Sequence, residues 1–191
     1  MSDRELEALR ERLRSGTGGA VARPHAFLEI VYKGDTSQEI LWRLLHLEWS
    51  GFADVPYSRF ESILRFLRPH WRADYMPAKD RAFFESLPDK IEVWRGQDDS
   101  RPMRLAWTTN EETARAFARG RGLFVNSSPV LYRGVVARRH VALAPQDRDE
   151  EAIVIFAARH IRRLTKTKLL AARSGEERAP AELDQAEGRA P

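Results

Sequence analysis

Cysteine is absent from this chain of 191 residues, which excludes disulfides and thiolate metal sites. Histidine is scarce: there are five, and no two are spaced as a ligand pair such as His-Glu-x-x-His, so no metal is expected. Long apolar runs are missing too. None approaches the ~20 residues that a membrane-crossing helix needs, and the N-terminus has no basic-then-apolar leader. The expectation is a cytoplasmic protein, or one delivered to another cell by a signal-less route, with no membrane partner. Nor does one sign of charge dominate. Lys and Arg number 32 against 28 Asp and Glu, a formal net charge of +4, and the two signs are mixed along most of the chain. A nucleic-acid binder segregates its positive charge into a stripe, so the small excess favours anionic ligands without naming one. No internal repeat is evident.

What is present suffices for a core. Hydrophobic residues make up 42%, with nine Phe and five Trp, and a chain of this length buries roughly two-thirds of its unfolded surface as one domain with tails. Residues 1–22 read as a charged helix and linker. Ser2 and Glu5 form a capping box, Leu6, Leu9 and Leu13 a thin stripe, and Ser15–Gly19 a break; a frayed or partner-docking appendage is expected. Residues 23–171 form the domain. Phe27–Tyr32 reads as a strand closed by Gly34. A helical lobe follows over 36–88, with capping boxes at Thr36/Glu39 and Ser58/Glu61, and with Pro77 opening a short helix.

The character then changes. Over 90–168, short β-branched and aromatic runs stand at Ile91–Arg95, Arg104–Thr108, Val130–Ala137, His140–Ala144, Glu151–Ala157 and Ile161–Thr167. One helix interrupts them, opened by a Thr109/Glu112 capping box and bearing Ala114, Phe117 and Ala118. Helices first, then strands, predicts an α+β fold: a helical N-terminal lobe followed by a compact mixed β-core. Residues 172–191, poor in large apolar groups, are expected to be a disordered tail.

Three segments of the β-core end in polar groups: Ile91-Glu-Val-Trp-Arg-Gly96, Leu105-Ala-Trp-Thr-Thr-Asn110 and Asp149-Glu-Glu-Ala-Ile-Val154. Arg95 offers bidentate hydrogen bonds to a phosphate, and Gly96 admits a ligand close to the backbone. Thr109 is expected as the helix cap, which leaves the Thr108 hydroxyl to point the other way. Alternation places Asp149 and Glu151 on one face and Glu150 on the other. Each segment alone is ordinary: a strand-end arginine, a strand-to-helix turn, solvated acids before a strand. Their order points to chemistry on a dinucleotide.

Taken together, Val93-Trp-Arg-Gly96, Ala106-Trp-Thr108 with Ala114 and Phe117-Ala118, and Asp149-x-Glu151-Ala-Ile-Val resemble the mono-ADP-ribosyltransferase family. The branch is the arginine–serine–glutamate one, shared by bacterial toxins, phage enzymes and vertebrate ectoenzymes. The resemblance covers roughly residues 90 to 157 and implies a β-core of ADP-ribosyltransferase type that uses NAD as substrate. On it, Arg95 would hold the diphosphate beside Gly96, and Thr108 and Trp107 would line the nicotinamide-ribose pocket. Glu151 would stabilise the oxocarbenium-like centre, and Asp149 would orient or deprotonate an acceptor, arginine being favoured. Phe124 or Trp107 would stack on nicotinamide. The implied partners are NAD, an acceptor protein of unknown identity and, for a toxin-like bacterial or phage effector, an antitoxin or immunity protein.

Two positions depart from the family pattern. Ala106 stands where a serine is usual, and Asp149 is shorter than the usual Glu or Gln. Three other readings therefore stand beside the transferase: an NAD glycohydrolase with water as acceptor; a degenerate member that binds NAD or a protein without turnover; and, on the basic run Arg159, His160, Arg162, Arg163, Lys166 and Lys168, a nucleic-acid module.

Overall fold

The computed structural model describes residues 3–120, 126–148 and 150–170; the tail expected over 172–191 lies outside them. Five helices come first: α1 (Asp3–Ser15), α2 (Gly19–Lys33), α3 (Gln38–Glu48), α4 (Tyr57–Leu67) and α5 (Ala78–Ser86). Six strands follow: β1 (Lys90–Asp98), β2 (Ala106–Thr108), β3 (Pro129–Ala137), β4 (Val141–Leu143), β5 (Ala152–Ile155) and β6 (Arg162–Lys168). Between β2 and β3 lies α6 (Glu111–Arg119). The architecture is α+β, as expected.

Two expectations in the helical half are corrected. Phe27–Tyr32 is not a strand but the second half of α2. Pro24, Phe27, Leu28 and Ile30 are buried while Tyr32 is 66% exposed. That places the apolar groups on one helical stripe, covered by α1 and by Phe52 and Phe60, rather than on alternate sides of a strand. Gly34, left-handed at φ 72°, ends the helix with its N–H on the Val31 carbonyl. Nor is α1 a frayed appendage. Leu6 and Leu13 are buried, and the carboxylate of Glu48, 2% exposed, draws Arg10 (3.0 Å) and Arg14 (2.7 Å) down onto α3. A buried carboxylate is tolerated only with such partners.

The helix caps shift by one or two residues from the expected boxes. Ser37, not Thr36, accepts the Ile40 N–H at 3.4 Å, and α4 starts behind Pro56 with Ser58 inside it. Aromatic contacts join the lobe to the sheet. The rings of Trp42 and Trp71 lie 6.1 and 6.5 Å from that of Phe156, just after β5, and the Trp71 indole N–H donates to the Ala142 carbonyl at 2.8 Å.

All pairings in the sheet are antiparallel, in the order β4-β5-β2-β1-β3-β6. Of the two neighbours of β2, β1 precedes it closely in the chain while β5 comes from more than forty residues later. Trp94 of β1 faces Thr108 on one side, and Thr108 faces Ala152 of β5 on the other. The end of β2, the middle of β1 and the mouth of β5 therefore meet.

Candidate functional site

At that meeting point lies a cavity of about 310 Å³ between β1, β2, the residues before β5, α6 and the start of α4. Arg95 forms part of its wall. Its Nε donates to Gln97 Oε1 at 2.7 Å and its Nη1 donates to the Ala106 carbonyl; Gln97 Nε2 in turn donates to the Arg101 carbonyl at 2.7 Å. Burial, and then the neighbouring charges of Arg104 and Arg101, lower the Arg95 pKa to about 10, so the group remains cationic at neutral pH. Arg104 lies with its guanidinium 4.8 Å above the Tyr57 ring, and its buried Nε has no hydrogen-bond partner. Three guanidiniums thus line one small cavity, together with Tyr57, Trp94, Trp107, Phe117, Asn126 and Glu150.

The mouth of β5 is pinned by the two threonines that end β2. Thr108 is buried; its hydroxyl donates to the Glu150 carbonyl at 2.7 Å and accepts the Asn110 N–H at 3.0 Å. Thr109 holds Glu151 twice: its N–H donates to the Glu151 carbonyl at 3.1 Å, and its hydroxyl to the carboxylate at 2.7 Å. Glu151 has φ 47°, a left-handed conformation that costs a non-glycine residue about 1–3 kcal/mol. The two bonds to Thr109 hold it there. The expected role of Thr109 as the helix cap is thus corrected. Asn110, not Thr109, caps α6 by accepting the Thr113 N–H at 3.0 Å. Thr109 is thereby free to bind the carboxylate, while Thr108 is engaged with backbone.

The loop before the mouth is fastened to the helical lobe. Asp80 of α5, buried, accepts the Gln146 N–H at 3.0 Å, and Gln146 Nε2 donates to the carbonyls of Pro145 at 2.9 Å and Ala152 at 3.3 Å. Burial raises the Asp80 pKa, partly offset by that backbone bond. Ser50 donates to Asp147 at 2.6 Å. The helical half therefore sets where the acidic segment stands.

Of the residues singled out from the sequence, Arg95, Gly96, Trp107 and Thr108 line the cavity. Glu151 stands beside it with its carboxylate on Thr109, and the acid that lines the wall is Glu150. Asp149 and Phe124 lie outside the described residues. Gly96 has a packing role as well: a Cβ there would run into the Ala114 carbonyl and the Ala118 N–H, so its bareness lets α6 lie against β1. Sequence reasoning missed Arg101, Arg104, Tyr57, Asn126 and Glu150 as wall residues. The two arginines carried a signal, standing three apart immediately before β2. Tyr57 carried none, because it arrives from another lobe.

Comparison with protein-family models, with curated proteins and with solved structures finds no match. Among the described residues, no helix is long and apolar enough to cross a membrane, and no group of three or more His, Asp or Glu could hold a metal ion.

Proposed function

We propose that this protein is an NAD-dependent mono-ADP-ribosyltransferase-like enzyme, with a β-core of that type. It would cleave the nicotinamide–ribose bond and pass ADP-ribose to a protein side chain, arginine being the favoured acceptor. The observation that carries the reading is the strand order. The third segment lies some forty residues beyond the first two, yet β1, β2 and β5 are neighbours, and Arg95, Thr108 and Glu150 line one cavity with Glu151 at its edge. The residues present also fit a dinucleotide. Three cationic side chains suit a diphosphate, and the orphaned Arg104 Nε offers a donor. A cavity of about 310 Å³ is at the low end for ligand sites, so part of the dinucleotide would lie beyond it.

In the reaction, the bond between ribose C1′ and the nicotinamide nitrogen breaks. Its electron pair leaves with the ring, which becomes neutral, and positive charge develops on the ribose. A fixed carboxylate stabilises that charge, commonly the largest single contribution to catalysis. The acceptor nitrogen then bonds to C1′ and loses its proton to a carboxylate. Glu151 is held rigidly for the first role by Thr109; the second role falls to Asp149, which lies outside the described residues, or to Glu150 on the cavity wall.

Nicotinamide release from NAD tests this directly, with the wild type beside Glu151→Gln, Glu150→Gln and Arg95→Gln. The expectation is wild-type turnover that falls about 10²-fold or more in Glu151→Gln, with a raised KM in Arg95→Gln. Full activity in Glu151→Gln with loss in Glu150→Gln would move the role to the wall residue. Release of free ADP-ribose alone, with no modified acceptor by mass spectrometry, would identify a glycohydrolase. Neither release nor NAD binding would sink the proposal.

A further inference from the structure

Two short turns at the end of β5 remote from the cavity are alike in sequence and touch in space. Ala137-Arg-Arg-His-Val141 and Ala157-Ala-Arg-His-Ile161 share the pattern Ala-x-Arg-His followed by a β-branched residue. Each folds as a single 3-10 turn, closed by the N–H of Val141 on the Arg138 carbonyl and that of Ile161 on the Ala158 carbonyl. One turn leads into β4 and the other leaves β5. Because these strands are antiparallel neighbours with Val141 opposite Ile155, the turns abut. The rings of His140 and His160 stack with centroids 3.9 Å apart and planes 14° from parallel.

Four guanidiniums attend this pair. Arg139 and Arg159 come from the turns themselves and Arg162 from the start of β6. Arg68, from the turn after α4, brings Nη2 to 3.3 Å from His140 Nδ1 and lies 4.8 Å above the Phe156 ring. Among the described residues, the one carboxylate paired with any of them is Glu61, 3.5 Å from Arg159 and shared with Arg65. His160 Nδ1 is buried without a hydrogen-bond partner. Burial, and then neighbouring positive charge, hold both imidazoles below their usual range: the arginines for His140, and His140 ahead of the arginines for His160, which lies at about 4. The rings are therefore neutral at pH 7 and stack without repulsion.

We propose that the paired Arg-His turns form an anion site, separate from the cavity, for a phosphate dianion. Guanidinium forks match the oxygens of a tetrahedral oxyanion bidentately, which a halide cannot exploit. The anion would supply the counter-charge that Arg68, Arg139 and Arg162 lack, and would favour protonation of the stacked imidazoles beneath it. The site does not depend on the NAD reading, since none of its residues lines the cavity.

The test is an NMR titration of the histidine ring resonances with inorganic phosphate, at ionic strength held constant with chloride. The wild type is expected to show saturable shifts of His140 and His160, with both imidazoles titrating at higher pH. In Arg139→Gln/Arg159→Gln, two exposed changes that leave the core intact, affinity should fall at least about tenfold. Absence of saturable shifts in the folded wild type would overturn the proposal, as would undiminished shifts in the double variant. Shifts caused by a single-stranded oligonucleotide but not by phosphate would also overturn it, in favour of a polyanion groove.

Discussion

The helical half and the sheet half treat charge in opposite ways. In the helical half, the buried carboxylate of Glu48 is met by Arg10 and Arg14, and His46 is buried uncharged, at a pKa lowered to about 3 by desolvation. The buried carboxylate there is met within the fold and serves it. In the sheet half, Arg95, Arg101 and Arg104 face a common cavity, and Glu151 is kept in a strained conformation at its edge. Positive φ also occurs at Asp54 and Arg163, so it is the gathering of like charges that distinguishes the cavity, and a protein gathers them where a ligand or a reaction repays the cost. The contrast directs attention to the sheet half as the functional one.

Acid gives the largest expected effect, and the most strongly shifted histidine lies in the helical half. His46 has its folded pKa near 3, below the ordinary 6.5. Its contribution to stability is therefore complete above about pH 6.5 and is lost as pH falls toward 3. The slope approaches about 1.4 kcal/mol per pH unit. His160 and His140 shift in the same direction and add to it. Urea unfolding between pH 7 and 4 should show the decline, and His46→Leu should flatten it; an unchanged slope would show that His46 is not the group responsible.

Glu48→Gln should destabilise by about 3 kcal/mol, the low end for breaking a buried ion pair, because Arg10 and Arg14 can turn toward water. The midpoint of chemical denaturation reports it, and NAD affinity should be unchanged if the two halves are as distinct as argued. Gly96→Ala should cost about 1–3 kcal/mol by forcing α6 off β1. In contrast to Glu48→Gln, it should also weaken NAD binding, because α6 walls the cavity. Equal effects of the two substitutions on binding would erase the comparison. Thr109→Val should cost only about 1 kcal/mol of stability, one hydrogen bond. It should nonetheless lower nicotinamide release more than its stability loss suggests, since it frees the Glu151 carboxylate.

Much of this was legible from local pattern. All six strand runs were visible because a strand end or a turn residue bounds each of them, and α3, α4, α5 and α6 were visible from apolar spacing and caps. Phe27–Tyr32 misled because six apolar-rich residues fit either period when read alone. The longer stretch from Pro24 is helical because α1, Phe52 and, in α4, Phe60 offer a surface for its stripe. The caps misled by a residue or two, since Ser37 and Asn110 compete with neighbouring threonines for the same orphan N–H groups.

The sequence alone determined most element types, the absence of thiol chemistry, and the placing of Thr108 and the acidic segment at strand ends. Those features depend on neighbours within a few residues, which composition and spacing record. Arg95, expected to close its strand, lies inside β1, which runs on to Asp98 because Gly96–Asp98 pair with β3. Tertiary structure decided which acid lines the cavity, that Thr109 rather than Thr108 binds Glu151, that Tyr57 and Arg104 join the wall, and that two Arg-His turns stack. Each of these depends on the strand order β4-β5-β2-β1-β3-β6. Strand order is fixed by packing between segments far apart in the chain, and local periodicity carries no trace of it.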